Sequence, residues 1–170
     1  MQKKLLVVVD MQYDFVTGAL GSEAAGKIVP SVLAEIRTWV AGGGEVVYTR
    51  DTHARDYLST QEGRRLPVEH CIKGGHGWQI LEELYLGGMV FDKPAFGSVA
   101  LGEYVRDGGY EEVELVGVCT DICVISNALL IKAFAPETRV CVRADCCAGV
   151  SAESHETALS AMRACQIDVI

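Results

Sequence analysis

Basic residues are in the minority in this chain. Lysine and arginine total 15 against 23 aspartates and glutamates, a net charge of −8. A nucleic-acid groove or an anionic membrane surface requires clustered cations, so neither partner is expected. Long apolar runs are missing as well. Leu5–Val9 is typical of their length, far short of the roughly 20 residues that span a bilayer. No small-residue cleavage site follows Met1–Lys4, so no signal peptide is expected and the cytoplasm is the expected compartment. No C-x-x-C pair occurs among the 7 cysteines. An odd count in mostly apolar contexts reads as reduced thiols, which excludes a secreted disulfide scaffold and leaves a four-thiolate metal site without support. Linkers, repeats and low-complexity segments are absent too.

What is present is an average globular composition, 49% apolar and 22% charged over 170 residues. That is enough for one large core and a single domain over 1–170. The pattern alternates strand and helix. Leu5–Val9 is a continuous apolar run, the signature of a strand buried on both faces. Pro30 is placed in the first turn of a helix whose apolar positions run from Val32 to Val40, until Gly42–Gly44 ends it. Further strands are expected at Glu45–Thr49, Met89–Asp92, Val113–Val118, Arg139–Arg143 and Ile167–Ile170. Helices are expected at Trp78–Leu84, Val99–Arg106, Asp121 to about Phe134 and Ala152–Ala164. Arg50–Gly77 has no period and is rich in charge, His and Gly. Loops of that length in compact domains usually carry function. Unbroken alternation implies an α/β fold, a three-layer α-β-α arrangement around a mostly parallel six-stranded sheet.

Sites in such sheets lie at the carboxyl ends of the strands. The residues there are Asp10, Asp51 with His53, Lys93, and Gly117–Cys123. Cys123 falls in the first turn of a helix, with Thr120 or Asp121 as the expected N-cap. The helix dipole and free N–H groups would favour its thiolate, while position alone suits a buried structural cysteine equally well. Asp10 ends a buried strand, an expensive place for an unpartnered carboxylate. Lys93 ends another, and the three together supply a base, a cation and a nucleophile. Asp51, His53 and His70 could close on a divalent metal, with Glu62 as an additional carboxylate. No partner is evident for His76 or His155.

Three segments resemble a known family. V-D-M-Q-Y-D-F at Val9–Phe15, K-P-A-F-G-S at Lys93–Ser98 and G-V-C-T-D-I-C-V at Gly117–Val124 resemble the isochorismatase-like cysteine hydrolases over nearly the whole chain. The resemblance implies Asp10, Lys93 and Cys123 as a catalytic triad. It also implies a cis peptide at Val118–Cys119, with the Cys119 and Cys123 amides forming an oxyanion hole. Within that superfamily, R-D-T-H at Arg50–His53 and L-P-V-E-H-C at Leu66–Cys71 are similar to the metal motif of the nicotinamidases. Asp51, His53 and His70 are then the implied ligands of one divalent ion, zinc first with iron and manganese as alternatives. Glu62 corresponds to a further ligand that varies within the group. Phe15 matches an aromatic that packs on the substrate ring. Many nicotinamidases carry Trp or Phe where this chain has Leu66, and Trp78 is the candidate replacement.

The implied activity is hydrolysis of nicotinamide to nicotinate and ammonia, a step in pyridine-nucleotide salvage, with a small-molecule amide as substrate and assembly with copies of itself. The alternative within the fold is a hydrolase of another small amide or carbamoyl compound. A binding or sensing protein that keeps the fold and uses its thiols is the alternative of another class.

Overall fold

The computed structural model describes residues 3–170, so Met1 and Gln2, with which the N-terminal reading begins, lie outside the described residues. Six strands form one sheet: β1 Lys4–Val9, β2 Glu45–Asp51, β3 Val90–Lys93, β4 Glu112–Val118, β5 Arg139–Ala148 and β6 Asp168–Val169. Their order is β3-β2-β1-β4-β5-β6 and every neighbouring pair is parallel. The helices are α1 Tyr13–Val16, α2 Glu23–Ala41, α3 Gln61–Arg65, α4 Val99–Gly108, α5 Ile125–Phe134 and α6 Ala152–Ala164.

The two-residue period of a strand sorts the core. Leu5, Val7 and Val9 pack with residues of α4, α5 and α6 on one face of the sheet. Leu6 and Val8 pack on the other face with Ile28, Val32 and Ile36 of α2. Both faces of β1 are therefore dry, which is why its sequence reads as a continuous apolar run. Each such buried side chain contributes roughly 1.5–3 kcal/mol. The chain winds outward from β1 through β2 to β3, then returns to β4 on β1's other side and winds outward again. The reversal places a crevice beyond the carboxyl ends of β1 and β4. Asp10 follows β1, and the turn containing Cys123 follows β4.

Several elements depart from the sequence expectation. Helix α2 starts at Glu23, capped by the Ser22 side chain, so Pro30 lies inside it rather than in its first turn. The residue four positions earlier is Gly26, whose Cβ position is open space. Trp78–Leu84 is not a helix. Tyr13 N–H donates to Gln79 O and Leu81 N–H to Met11 O, so that backbone is committed to an antiparallel bridge, and only Glu82–Leu84 forms a 3₁₀ turn. Strand β5 continues past Arg143 to Ala148 through a register shift opposite Leu115 and Gly117. Gly117 has φ +118°, and a Cβ there would lie 2.1 Å from Val9 O, so only glycine permits β4 to run this close to β1. The segment Thr120–Val124 is a π-helical turn ahead of α5, and its N-cap is Cys119, with no capping side chain. Thr120 Oγ1 instead lies 2.8 Å from His155 Nδ1, and Asp121 Oδ1 accepts from Val150 N–H.

Candidate active site

Three strand ends bring Asp10, Lys93 and Cys123 together. Lys93 is wholly buried and its Nζ lies 2.7 Å from Asp10 Oδ2 and 3.4 Å from Cys123 Sγ. It also donates to Ala95 O at 3.2 Å. Asp10 is held from the other side by Thr49, whose Oγ1 donates to Oδ1 at 2.7 Å. Asp10 Oδ2 faces Lys93 but accepts no aligned hydrogen bond, and the Cys123 thiol is close enough to bond the same carboxyl. A buried carboxylate beside the thiol is placed to accept its proton.

The electrostatics differ from the sequence expectation in one respect. Burial pushes the Cys123 thiol well up, with Asp10's charge adding to it and Lys93 opposing. Burial and the charge of Asp10 both favour the neutral thiol, opposite in sense to the thiolate that a helix start would favour. Burial also raises the Asp10 carboxyl, against the pull of Lys93. Lys93 resists its own desolvation because Asp10, Cys123 and Asp51 surround it, and its ammonium is held above the usual range. A raised base beside a raised acid, with a fixed cation between them, makes proton transfer from sulfur to carboxylate a small rearrangement of charge.

The second centre abuts the first. One ligand atom each from Asp51, His53, Glu62 and His70 lie within 4.8 Å of one another. His53 Nε2 is 2.9 Å and His70 Nε2 3.4 Å from Asp51 Oδ2, and the same nitrogens are 3.6 and 3.9 Å from Glu62 Oε1. These separations suit the edges of a polyhedron around an ion with bonds of about 2.0–2.2 Å. His70 Nδ1 donates to Val68 O at 2.8 Å, so Nε2 faces the cluster, a donor to Asp51 when protonated and a candidate ligand when neutral. Burial would raise the Asp51 carboxyl, but hydrogen bonds from His53 and His70 and the charge of Lys93 hold it well below the usual carboxylate range. Two carboxylates and two imidazoles at this spacing fit a divalent cation.

A cavity of about 230 Å³ adjoins both centres, lined by Asp51, Glu62 and His70 of the one and by Cys119 and Cys123 of the other. Phe15 and Leu66 line it, as the sequence suggested. Trp78 does not. Its indole donates to Thr52 Oγ1 at 2.8 Å and the Arg50 guanidinium stacks on it at 3.4 Å, so it braces β2 outside the cavity. The second aromatic of the wall is Phe96, 45% exposed, inside a motif already singled out but with no role given to that residue. The Val118–Cys119 peptide is cis. Among the described residues no acceptor takes the Cys119 N–H.

Sequence reasoning missed the residues that aim these groups. Gln12 is buried; its amide accepts from Asp51 N–H at 2.7 Å and donates to Asp51 O and Trp78 O at 2.9 Å. Asp14 Oδ2 accepts from Cys71 N–H at 2.7 Å, anchoring the residue next to His70. Both sit in V-D-M-Q-Y-D-F, where polar residues beside a buried strand were the available signal. His76, without a partner in the sequence reading, stacks on Tyr13 at 4.2 Å. No helix among the described residues is long and apolar enough to cross a membrane.

Known proteins share this architecture. The isochorismatase domain profile matches residues 4–170, and the chain belongs to that family. It is 28% identical over 184 residues to the nicotinamidase/pyrazinamidase of Mycobacterium tuberculosis, covering 98% of each chain. The crystal structure of Pyrococcus horikoshii pyrazinamidase in complex with zinc superposes with a TM-score of 0.86 at 30% identity, covering 99% of this chain and 98% of that one. The N-carbamoylsarcosine amidase of Thermoplasma acidophilum superposes with a TM-score of 0.81 at 28% identity, covering 99% and 95%. The chain is an isochorismatase-family hydrolase with the α/β architecture of those enzymes.

Proposed function

We propose that this protein is a metal-containing cysteine amidase that hydrolyses nicotinamide to nicotinate and ammonia. The observation that carries the reading is the shared cavity: Cys123 and three residues of the ligand cluster, Asp51, Glu62 and His70, line it together, and one ammonium, Lys93, contacts both Asp51 and Cys123. The relatives named nicotinamidase and pyrazinamidase support it, and so does the zinc bound by the Pyrococcus horikoshii enzyme. A volume of about 230 Å³ lies below the roughly 300–1,000 Å³ of drug-sized sites, which suits a single ring with a short substituent.

Asp10 takes the Cys123 proton and the thiolate attacks the carboxamide carbon. Lys93 stays within reach of both groups, so the negative charge moves from oxygen to sulfur against one fixed cation. The Cys119 and Cys123 N–H groups hold the oxyanion of the tetrahedral intermediate. Asp10 returns the proton to the nitrogen as the C–N bond breaks, ammonia leaves, and a thioester remains. Asp10 then takes a proton from water, the hydroxide adds to the thioester carbon, and the C–S bond breaks to release nicotinate and restore the thiol. Phe15 and Phe96 flank the ring. An ion held by Asp51, His53, His70 and Glu62 would supply a Lewis-acid anchor for the ring nitrogen, which orients the amide toward Cys123.

Ammonia release should be measured with nicotinamide and with an N-carbamoyl amino acid, each with and without chelator. Chelator-sensitive turnover of nicotinamide supports the proposal. Turnover of the carbamoyl compound alone, indifferent to chelator, would overturn it in favour of a metal-free amidase.

A further inference from the structure

Asn127 is a fully buried amide on α5, one helical turn beyond the nucleophile, and the mechanism above does not use it. Its Nδ2 donates to Cys123 O at 2.8 Å and to Phe96 O at 3.1 Å, and its Oδ1 accepts from Ser98 N–H at 2.9 Å. Both donors and one acceptor lone pair are therefore occupied. An asparagine inside a helix usually competes with the helical backbone and is disfavoured there. Here its side chain reaches outward to a separate segment, residues 94–98, which connects β3 to α4.

That segment carries two parts of the site. Ala95 O accepts from Lys93 Nζ, and Phe96 lines the cavity. Ser98 then caps α4, its Oγ accepting from Leu101 N–H. The segment lies tight on α5, since a Cβ at Gly97 would meet Leu130 Cδ2 at 3.4 Å and Ser126 O at 3.5 Å. One side chain thus joins the backbone of the nucleophile to the backbone that positions the cation and the aromatic wall.

We propose that Asn127 is a positioning residue: its amide clasps the Pro94–Ser98 segment to the Cys123 carbonyl and so fixes the Lys93–Cys123 separation and the place of Phe96 over the substrate. The inference rests on the amidase reading for its substrate and on geometry alone for its effect on the thiol. Loss of the clasp leaves Phe96 O and Ser98 N–H without their partner and lets the segment drift from α5. A displacement of about 1 Å in such a site can cost about 100-fold in rate.

Two variants separate clasp from helix. Asn127→Ala removes all three bonds. Asn127→Thr keeps a hydroxyl able to bond the carbonyl one turn back, the Cys123 carbonyl, but is too short to reach the segment. The readouts are kcat and KM for nicotinamide, metal content, thermal midpoint, and the rate of Cys123 carboxamidomethylation by iodoacetamide, read by peptide mass spectrometry. Both variants should retain metal, lose about 10- to 100-fold in kcat, raise KM, and slow alkylation of Cys123 about 10-fold below their melting temperatures. A merely structural asparagine would lower the thermal midpoint and leave kcat and the alkylation rate of the folded protein unchanged, which overturns the proposal. Wild-type rates in Asn127→Thr overturn it as well. Should neither variant fold, hydrogen exchange on the wild-type protein decides: a protected Ser98 amide is expected, and exchange at the unprotected rate overturns the clasp. If the wild-type protein releases no ammonia from nicotinamide, the substrate reading fails by itself, and the alkylation rates still test Asn127.

Discussion

Lys93 Nζ lies 3.3 Å from Asp51 Oδ1, while the other oxygen of the same carboxylate faces His53 and His70. The cation that serves the nucleophile is thereby in contact with a residue of the ligand cluster. Such a contact gives each centre a stake in the charge of the other. A divalent ion beside Asp51 would draw that carboxylate's charge away from Lys93 and leave the ammonium more fully to Asp10 and Cys123.

Cys123→Ala should abolish ammonia release and leave the thermal midpoint near that of the wild type, because the change removes one small side chain. Alkylation of the native protein tests the same point. Cys165 is exposed and Cys123 lines the cavity, so iodoacetamide should reach both, and the loss of activity should follow the extent of labelling at Cys123. Full activity in Cys123→Ala, or inactivation that follows Cys165, would remove Cys123 from the mechanism.

Asp10→Asn keeps the shape of the carboxyl and removes its basicity. General bases contribute about 10²–10⁴-fold, and a loss in kcat of that order is expected with KM little changed. The pH profile provides a second check. Asp10 acts as a base only when ionised, and burial raises its carboxyl above the ordinary 3.8. Activity should therefore fall on the acid side at a higher pH than an ordinary carboxylate would give. Wild-type kcat in the variant at neutral pH would assign the base elsewhere.

The alternation of strand and helix was legible because β1, β2 and β4 are largely buried and rich in aliphatic and β-branched residues, β1 as an unbroken apolar run. Asp10, Lys93 and Cys123 could be grouped because a parallel sheet puts its strand ends at one rim. The tail of β5 was not legible, since Arg143–Asp145 breaks the apolar pattern and the register shift that tolerates it is a tertiary feature. The segment Trp78–Leu81 was misread because its backbone partners, Met11 and Tyr13, lie far away in sequence. Local spacing could not have placed Trp78 outside the cavity, because Thr52 and Arg50 hold it there. The burial that raises the Cys123 thiol was not legible for a related reason: a helix start is visible in sequence, and the packing around it is not.

Lys93→Met should lower kcat and also destabilise the fold. The side chain is wholly buried between Asp10 and Asp51, and removing one partner of a buried ion pair typically costs about 3–5 kcal/mol. Chemical denaturation of metal-stripped wild type and variant should show a loss of that order. A midpoint equal to the wild type's would mean that Asp10 and Asp51 do not depend on the ammonium for their burial.

Removal of the metal should separate substrate capture from the reactivity of the thiol. Cys123 is not part of the ligand set, so His53→Ala should lose bound metal and raise KM for nicotinamide strongly, while Cys123 remains open to alkylation. Chelator should reproduce the variant, and zinc, iron or manganese should restore activity to different degrees, because a mixed nitrogen and oxygen site discriminates weakly. The pH dependence of retention has a definite sign. Burial works against a charged His70, but its bonds to Asp51 and Val68 O outweigh that, and its imidazole takes up a proton above the ordinary 6.5. Metal requires the neutral ring, so falling pH sets proton against metal: affinity should weaken with acidification, and release should follow at a lower pH, because the bound ion competes with the proton. Dialysis across a pH series followed by elemental analysis measures this directly. Metal affinity in His70→Ala equal to the wild type's would show that His70 is not a ligand. Activity untouched by chelator, in protein holding less than about a tenth of an equivalent of any transition metal, would remove the metal centre from the reaction altogether, since ligand sets of this kind bind tightly.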